Sequence, residues 1–131
     1  MSIGYEFRGL TIPKIAGATV HCCRFVMFGA DSDHVVDCTA NLRALGVASG
    51  EPGETILVGQ VVDVMVSGIA KVEVHDGSAT ALGDPLECAA AGRPIKSVTN
   101  KHLTCGYLVG PVKTTQDDVT EVLVAHGTMS A

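Results

Sequence analysis

The chain has 131 residues, a formal charge of −5, 47% hydrophobic residues and no tryptophan. That length fits one domain, since most domains hold between ~50 and ~250 residues, and folding then buries roughly two thirds of the extended surface. Charges of both signs are interspersed, without the concentrated Lys/Arg field that nucleic-acid binding needs, and the apolar runs fall well short of the ~18 residues that span a bilayer. Neither direct nucleic-acid binding nor membrane insertion is expected.

The opening stretch MSIGYEFRGLTIPK holds no basic leader ahead of an apolar segment, so secretion is not expected. Residues 1–19 read as an extended N-terminal arm. Tyr5, Phe7, Leu10, Ile12 and Ile15 are apolar, while Gly4, Gly9, Pro13 and Gly17 prevent a sustained helix. Pro13 also lacks the donor that a central strand needs. Such an arm is pinned either on its own domain or on a partner. Tyr5, Phe7, Arg8 and Leu10 are its candidate contact groups, because aromatic and arginine side chains are enriched at interfaces.

Residues 20–131 read as a single all-β domain. A strand is expected over 20–28, a turn at 29–33 (GADSD) and a second strand over 34–38. Residues 40–46 fit a helical turn or continued strand. SGEPGE at 49–54 is a strong turn, with Pro52-Gly53 suited to type II geometry. The stretch VDVMVSGIAKVEV at 62–74 places Val, Gly or Ala at every even position. Alternation of that length marks strands with one face in a core, with strands at about 55–66 and 69–75 and a bend or bulge at Ser67-Gly68. Met65 and Ile69 fall on the other face and are too apolar for a wholly wet surface, so a neighbouring subunit or an internal loop covers them.

Turns at 82–86 and 91–94 lead into short strands, the second over 95–98. HLTCGYLVGPV at 102–112 fits a strand pair or one kinked strand broken at Gly106 and Gly110. A polar turn at 116–118 precedes a closing strand over 119–125. Many short strands at this spacing argue for a small barrel or sandwich. The 15 glycines exceed the ~7% average, as many tight turns require.

No residue set carries an evident chemistry, and no catalytic residue, metal or cofactor is expected. Cysteines at 22, 23, 38, 88 and 105 form no disulfide framework and read as reduced, buried thiols. His21, Cys22 and Cys23, with His34 or Cys38, lack the paired spacing of a structural zinc site. Asp31, Asp33 and Asp37 lack the glycine and distal glutamate of a calcium loop. Asp84 and Glu87 sit at a turn rather than forming a carboxylate pair.

Four pieces carry a resemblance: ALGVASGEPGETILV at 44–58, VDVMVSGIAKVEV at 62–74, ALGDPLECAAAGRPI at 81–95 and EVLVA at 121–125. In order and spacing they are similar to the tailed-phage head decoration, or capsid cement, proteins, over about residues 44–125. The stretch 95–119 is longer than in the shortest family members. The resemblance implies a small β-barrel-like or β-tulip-like domain that acts as a homotrimer. It would sit at three-fold and quasi-three-fold positions on the outer surface of an icosahedral head, made in host cytoplasm and clamping major capsid protein subunits. Arg93, on its tight turn, is then a candidate partner for a shell carboxylate, or a plain solvated arginine. Rival readings are a tail or head–tail connector subunit, a small-molecule- or peptide-binding β-barrel, and, last, an enzyme.

Overall fold

A computed structural model describes residues 7–39, 42–74, 81–96, 103–113, 115 and 117–128. Thirteen strands follow in chain order: β1 Phe7–Arg8, β2 Thr11–Ala16, β3 Val20–His21, β4 Phe25–Phe28, β5 His34–Asp37, β6 Gly46–Ala48, β7 Thr55–Ile56, β8 Val61–Met65, β9 Gly68–Glu73, β10 Pro85–Cys88, β11 Pro94–Lys96, β12 Leu103–Gly110 and β13 Val119–Thr128. One short 3₁₀ turn, Ala90–Gly92, interrupts them. The fold is all-β, as expected.

The first half of the chain forms a closed five-stranded barrel in the order β2-β5-β4-β6-β8, and the second half, joined by the N-terminal strand β1, forms a sheet ordered β1-β9-β13-β12-β10-β11. β3 and β7 make a separate two-stranded ribbon. All pairs are antiparallel except β2 with β5, which is parallel at Ile15–His34 and Ala16–Val35.

Two cores result from one alternation. Val26, Val35, Ala48, Val62 and Val64 fill the barrel interior with Ala16 and Val20. Their chain neighbours Phe25, Val47 and Met65 point the other way. There they meet Ala70, Val72, Leu86, Leu108, Val122 and Val124 of the large sheet. β4, β6 and β8 are thus buried on both faces, and each fully buried aliphatic is worth roughly 1.5–3 kcal/mol. This explains why the segment around Phe25 is apolar at successive positions.

Several expectations are corrected. Residues 20–28 are not one strand: a turn at Cys22–Arg24, with Cys23 at φ 63°, passes the chain from β3 to β4. A small barrel needs such corners, because its strands are short and change neighbours. The span 55–66 is likewise split into β7 and β8. Ser67-Gly68 is the bend, and there the chain leaves the barrel for the large sheet. Of the two alternatives for 102–112, the single kinked strand holds: β12 shifts register with β13 between Thr104 and Gly106 and again between Leu108 and Gly110. Leu42–Leu45 adopt neither helix nor strand. At 49–54 the turn forms as expected: Glu54 N–H donates to Glu51 O at 3.1 Å, and Gly53 sits at φ 84°, the third-residue conformation of a type II turn that glycine tolerates.

The boundary placed at residue 19 does not match the structure. Thr11–Ala16 is a barrel strand, paired with β8 from Thr11–Met65 to Ile15–Val61. Pro13 is tolerated there for a geometric reason. Ile15 N–H donates toward Asp33 O and Ala16 N–H toward Gln60 O, so odd residues of β2 face β5 and even ones face β8. The proline nitrogen therefore faces the β5 side, before the parallel ladder begins at Ile15, and no ladder bond is lost.

Candidate functional site

Beside the β3–β4 corner, a histidine–aspartate pair adjoins a cysteine. His21 Nδ1 stands 2.5 Å from Asp37 Oδ2, and His21 N–H donates to Asp37 Oδ1 at 3.1 Å. The adjacent thiol, Cys22, faces Glu54 at 3.8 Å instead. Burial and the Glu54 carboxylate push it up to about 11, the reverse of what an activated thiolate needs.

Two core thiols shift in the same direction. Cys38, Cys88 and Cys105, far apart in sequence, meet in the core between barrel and sheet. The hydrogen bond with Cys88 pushes the Cys38 thiol up, and the hydrogen bond with Cys105 pushes the Cys88 thiol up against a lowering contact from Cys38; burial adds to both rises. Cys38 and Cys88 are packing groups held protonated. Among the described residues no group of three His, Cys, Asp or Glu side chains has metal-holding geometry. Asp31 is used in its turn, accepting from Asp33 N–H at 2.9 Å and lying 2.6 Å from His34 Nδ1. The His34 contact holds its carboxyl below the usual range.

A charged network ties barrel to sheet. Arg24 Nε donates to Glu73 Oε1 at 2.8 Å, and both side chains are nearly buried. Asp117 stands 3.6 Å from Arg24 and accepts from Arg93 Nε at 2.8 Å. The Arg93 side chain is only 15% exposed. Its partner is a carboxylate of the same chain, Asp117, whose own side chain is 47% exposed.

The remaining contact candidates separate. Met65 is fully buried, between barrel and sheet, and is removed from the surface set. The face count assumed one continuous ribbon with a single core, whereas β8 has a core on each side. Ile69 is half-buried and lies on the outer face of the large sheet. Leu10 is 60% exposed, with its N–H donated to Ser67 Oγ at 3.0 Å. Phe7 and Arg8 form β1, in register with Ile69 and Gly68; Tyr5 lies outside the described residues.

Sequence reasoning missed two apolar surfaces. On the large sheet, Tyr107 and Leu123 are exposed beside Val109. On the barrel, Ile15, Leu57, Val58 and Val61 are exposed. The alternation of EVLVA at 121–125 pointed to Leu123, but Tyr107 becomes its neighbour only through the register of β12 with β13. An open depression of about 550 Å³ lies against Met27, Phe28, Leu42, Ala44 and Leu45, with Arg43 its one charged lining residue. It lacks the converging polar groups of a small-molecule site.

The fold is similar to that of "head fiber gp8.5 N base in bacteriophage phi29", with a TM-score of 0.64 and 17% identity over 88% of this chain and 93% of that one. The family model described as phage cement protein matches residues 6–126. The chain belongs to the phage cement protein family, structural proteins of the phage head.

Proposed function

We propose that the protein is a capsid decoration protein that binds the outer surface of an icosahedral phage head and stabilises contacts between major capsid protein subunits. The observation that carries this reading is the family match across nearly the whole chain. The structure is compatible with it: large aliphatic and aromatic side chains stay exposed on a doubly cored scaffold, while burial and the Glu54 carboxylate keep the Cys22 thiol protonated.

The mechanism is linkage rather than chemistry. A protein that binds the assembled shell but not free subunits stabilises the shell by mass action. A trimer presents three copies of one patch to a site of matching symmetry. After the first contact the others act at high effective concentration, so modest patches suffice. Leu10, Ile69, the N-terminal groups Tyr5, Phe7 and Arg8, and the exposed barrel aliphatics are the proposed contact set.

Incubation of the purified protein with expanded heads, followed by sedimentation, tests the reading. Saturation at one trimer per local three-fold position supports it. Absence of shell binding rejects it, and binding only at the portal vertex would assign the protein to the head–tail connector.

A further inference from the structure

Three thiols share one core, and they come from both halves of the molecule. Cys38 follows β5 on the barrel side, where its backbone N–H donates to Phe25 O at 3.0 Å. Cys88 ends β10 and Cys105 lies in β12, neighbouring strands of the large sheet. The Cys38 thiol is hydrogen-bonded to Cys88, and Cys88 in turn to Cys105. Barrel and sheet therefore touch through a pair of sulfur atoms.

The same thiols adjoin the open depression. The Cys38 thiol donates to Leu42 O at 3.5 Å, and Leu42, itself 48% exposed, lines that depression. Ala44 belongs both to the lining and to the core that holds the thiols, and Met27, also in the lining, packs against that core. Cys105 is turned elsewhere, donating to Leu86 O at 3.4 Å inside the sheet. Of the three, Cys38 is the one bonded to a residue of the depression wall. We propose that Cys38 and Cys88 are a redox staple, closed by a small-molecule disulfide that reaches Cys38 through the depression.

The chemistry is two successive thiol–disulfide exchanges. Cys38 gives up its proton and attacks one sulfur of the small disulfide, whose S–S bond breaks and releases one thiol. Cys88, already in contact, then loses its proton and attacks the Cys38 sulfur, and the second small thiol departs. Two protein thiols are oxidised to one disulfide, and the small disulfide is reduced to two thiols. A hydrogen-bonded pair has only to close to ~2.05 Å for the bond to form. Hydrogen bonding and burial hold both thiols protonated, so closure is slow at neutral pH. In reducing surroundings the pair stays open, and in oxidising ones it closes. The bond would then join barrel to sheet across a loop of about 50 residues, which narrows the unfolded ensemble.

The test uses the full chain, first reduced, then incubated with oxidised glutathione while circular dichroism reports that it stays folded. Remaining thiols are alkylated and tryptic peptides are mapped by mass spectrometry without reduction. Peptides linked through Cys38 and Cys88 are expected, forming about ten-fold faster for each unit rise in pH as the thiolate fraction grows. The melting temperature should rise by about 10 °C and return on adding dithiothreitol. Cys38→Ala should lose both the link and the rise, and Cys105→Ala should keep both. Leu42→Ala, which thins the wall beside Cys38, should speed closure several-fold. Absence of the link in folded wild type would overturn the staple, as would a Cys88–Cys105 link in its place or an unchanged melting temperature. Closure of folded Leu42→Ala at the wild-type rate would refute the depression as the way in. The wild-type peptide map decides even where a core variant fails to fold. No shell takes part, so failure of shell binding would reject the decoration reading and leave the staple standing.

Discussion

The barrel and the large sheet solve the same burial problem differently. The barrel closes on itself, so it has no free edge and carries a core of its own, built from small residues such as Ala16, Ala48 and five valines. The sheet stays open, ends in the short strands β1 and β11, and buries its inner face only by lying against the barrel. Its outer face is left with tyrosine, leucine and isoleucine in one row. The closed half supplies rigidity and a surface to pack on. The open half supplies a flat apolar face held in a defined register.

Five experiments break or sharpen that contrast. The largest effect is expected from deleting residues 1–19. The deletion removes β2, which closes the barrel between β5 and β8, so no cooperative thermal transition should survive. A folded product would show that the barrel closes without that strand. Next comes Phe25→Ala. Phe25 is fully buried between barrel and sheet, and its loss should cost ~3–5 kcal/mol. Denaturant unfolding should remain a single transition. Two separated transitions would instead make barrel and sheet independent units.

Glu73→Gln removes one partner of a nearly buried ion pair and leaves Arg24 undercompensated, at a cost of ~3 kcal/mol. Asp117, 3.6 Å from Arg24, tempers the loss, and a double-mutant cycle with Asp117→Asn measures that coupling. The fourth effect is a loss of stability in alkali. The Cys22 thiol, held at about 11 in the folded chain against an ordinary 9.0, keeps its proton where the unfolded chain has released it. Its contribution is complete below pH 9 and lost as pH rises toward 11. Cys22→Ala should therefore flatten the decline in melting temperature across that window, and an unchanged slope would count against the burial assigned to this thiol. The smallest effect belongs to Leu123→Ala, on the outer face. Measured on dilute protein, its stability should stay within ~0.5 kcal/mol of wild type; a larger loss would mean the face is covered within the chain itself.

The strand-rich class, the type II turn at 51–54, the bend at Ser67-Gly68 and the closing strand were legible, because each depends on neighbours in the chain. Glycine at φ 84° and two-residue alternation leave local marks. The contact set was far less legible. Met65 was placed on an outer face by correct parity in a ribbon that proves to have a core on both sides. The sequence offers Arg93 either a shell carboxylate or solvent, because Asp117, its partner within the chain, lies 24 positions away. Tyr107 and Leu123 were passed over because nothing local says they are adjacent.

Alternation and turn chemistry, both short-range properties, were enough for the sequence alone to determine an all-β fold, while its place among capsid cement proteins came from a resemblance carried by four pieces between residues 44 and 125. The tertiary structure decided that Thr11–Ala16 closes a barrel, that β4, β6 and β8 are buried twice, and that Phe7, Ile69, Leu123, Tyr107 and Pro85 stand in one row. Those outcomes depend on which strands pair and in what register. Pairing is set by long-range burial, and a shift of one residue would turn every side chain of a strand to the other face.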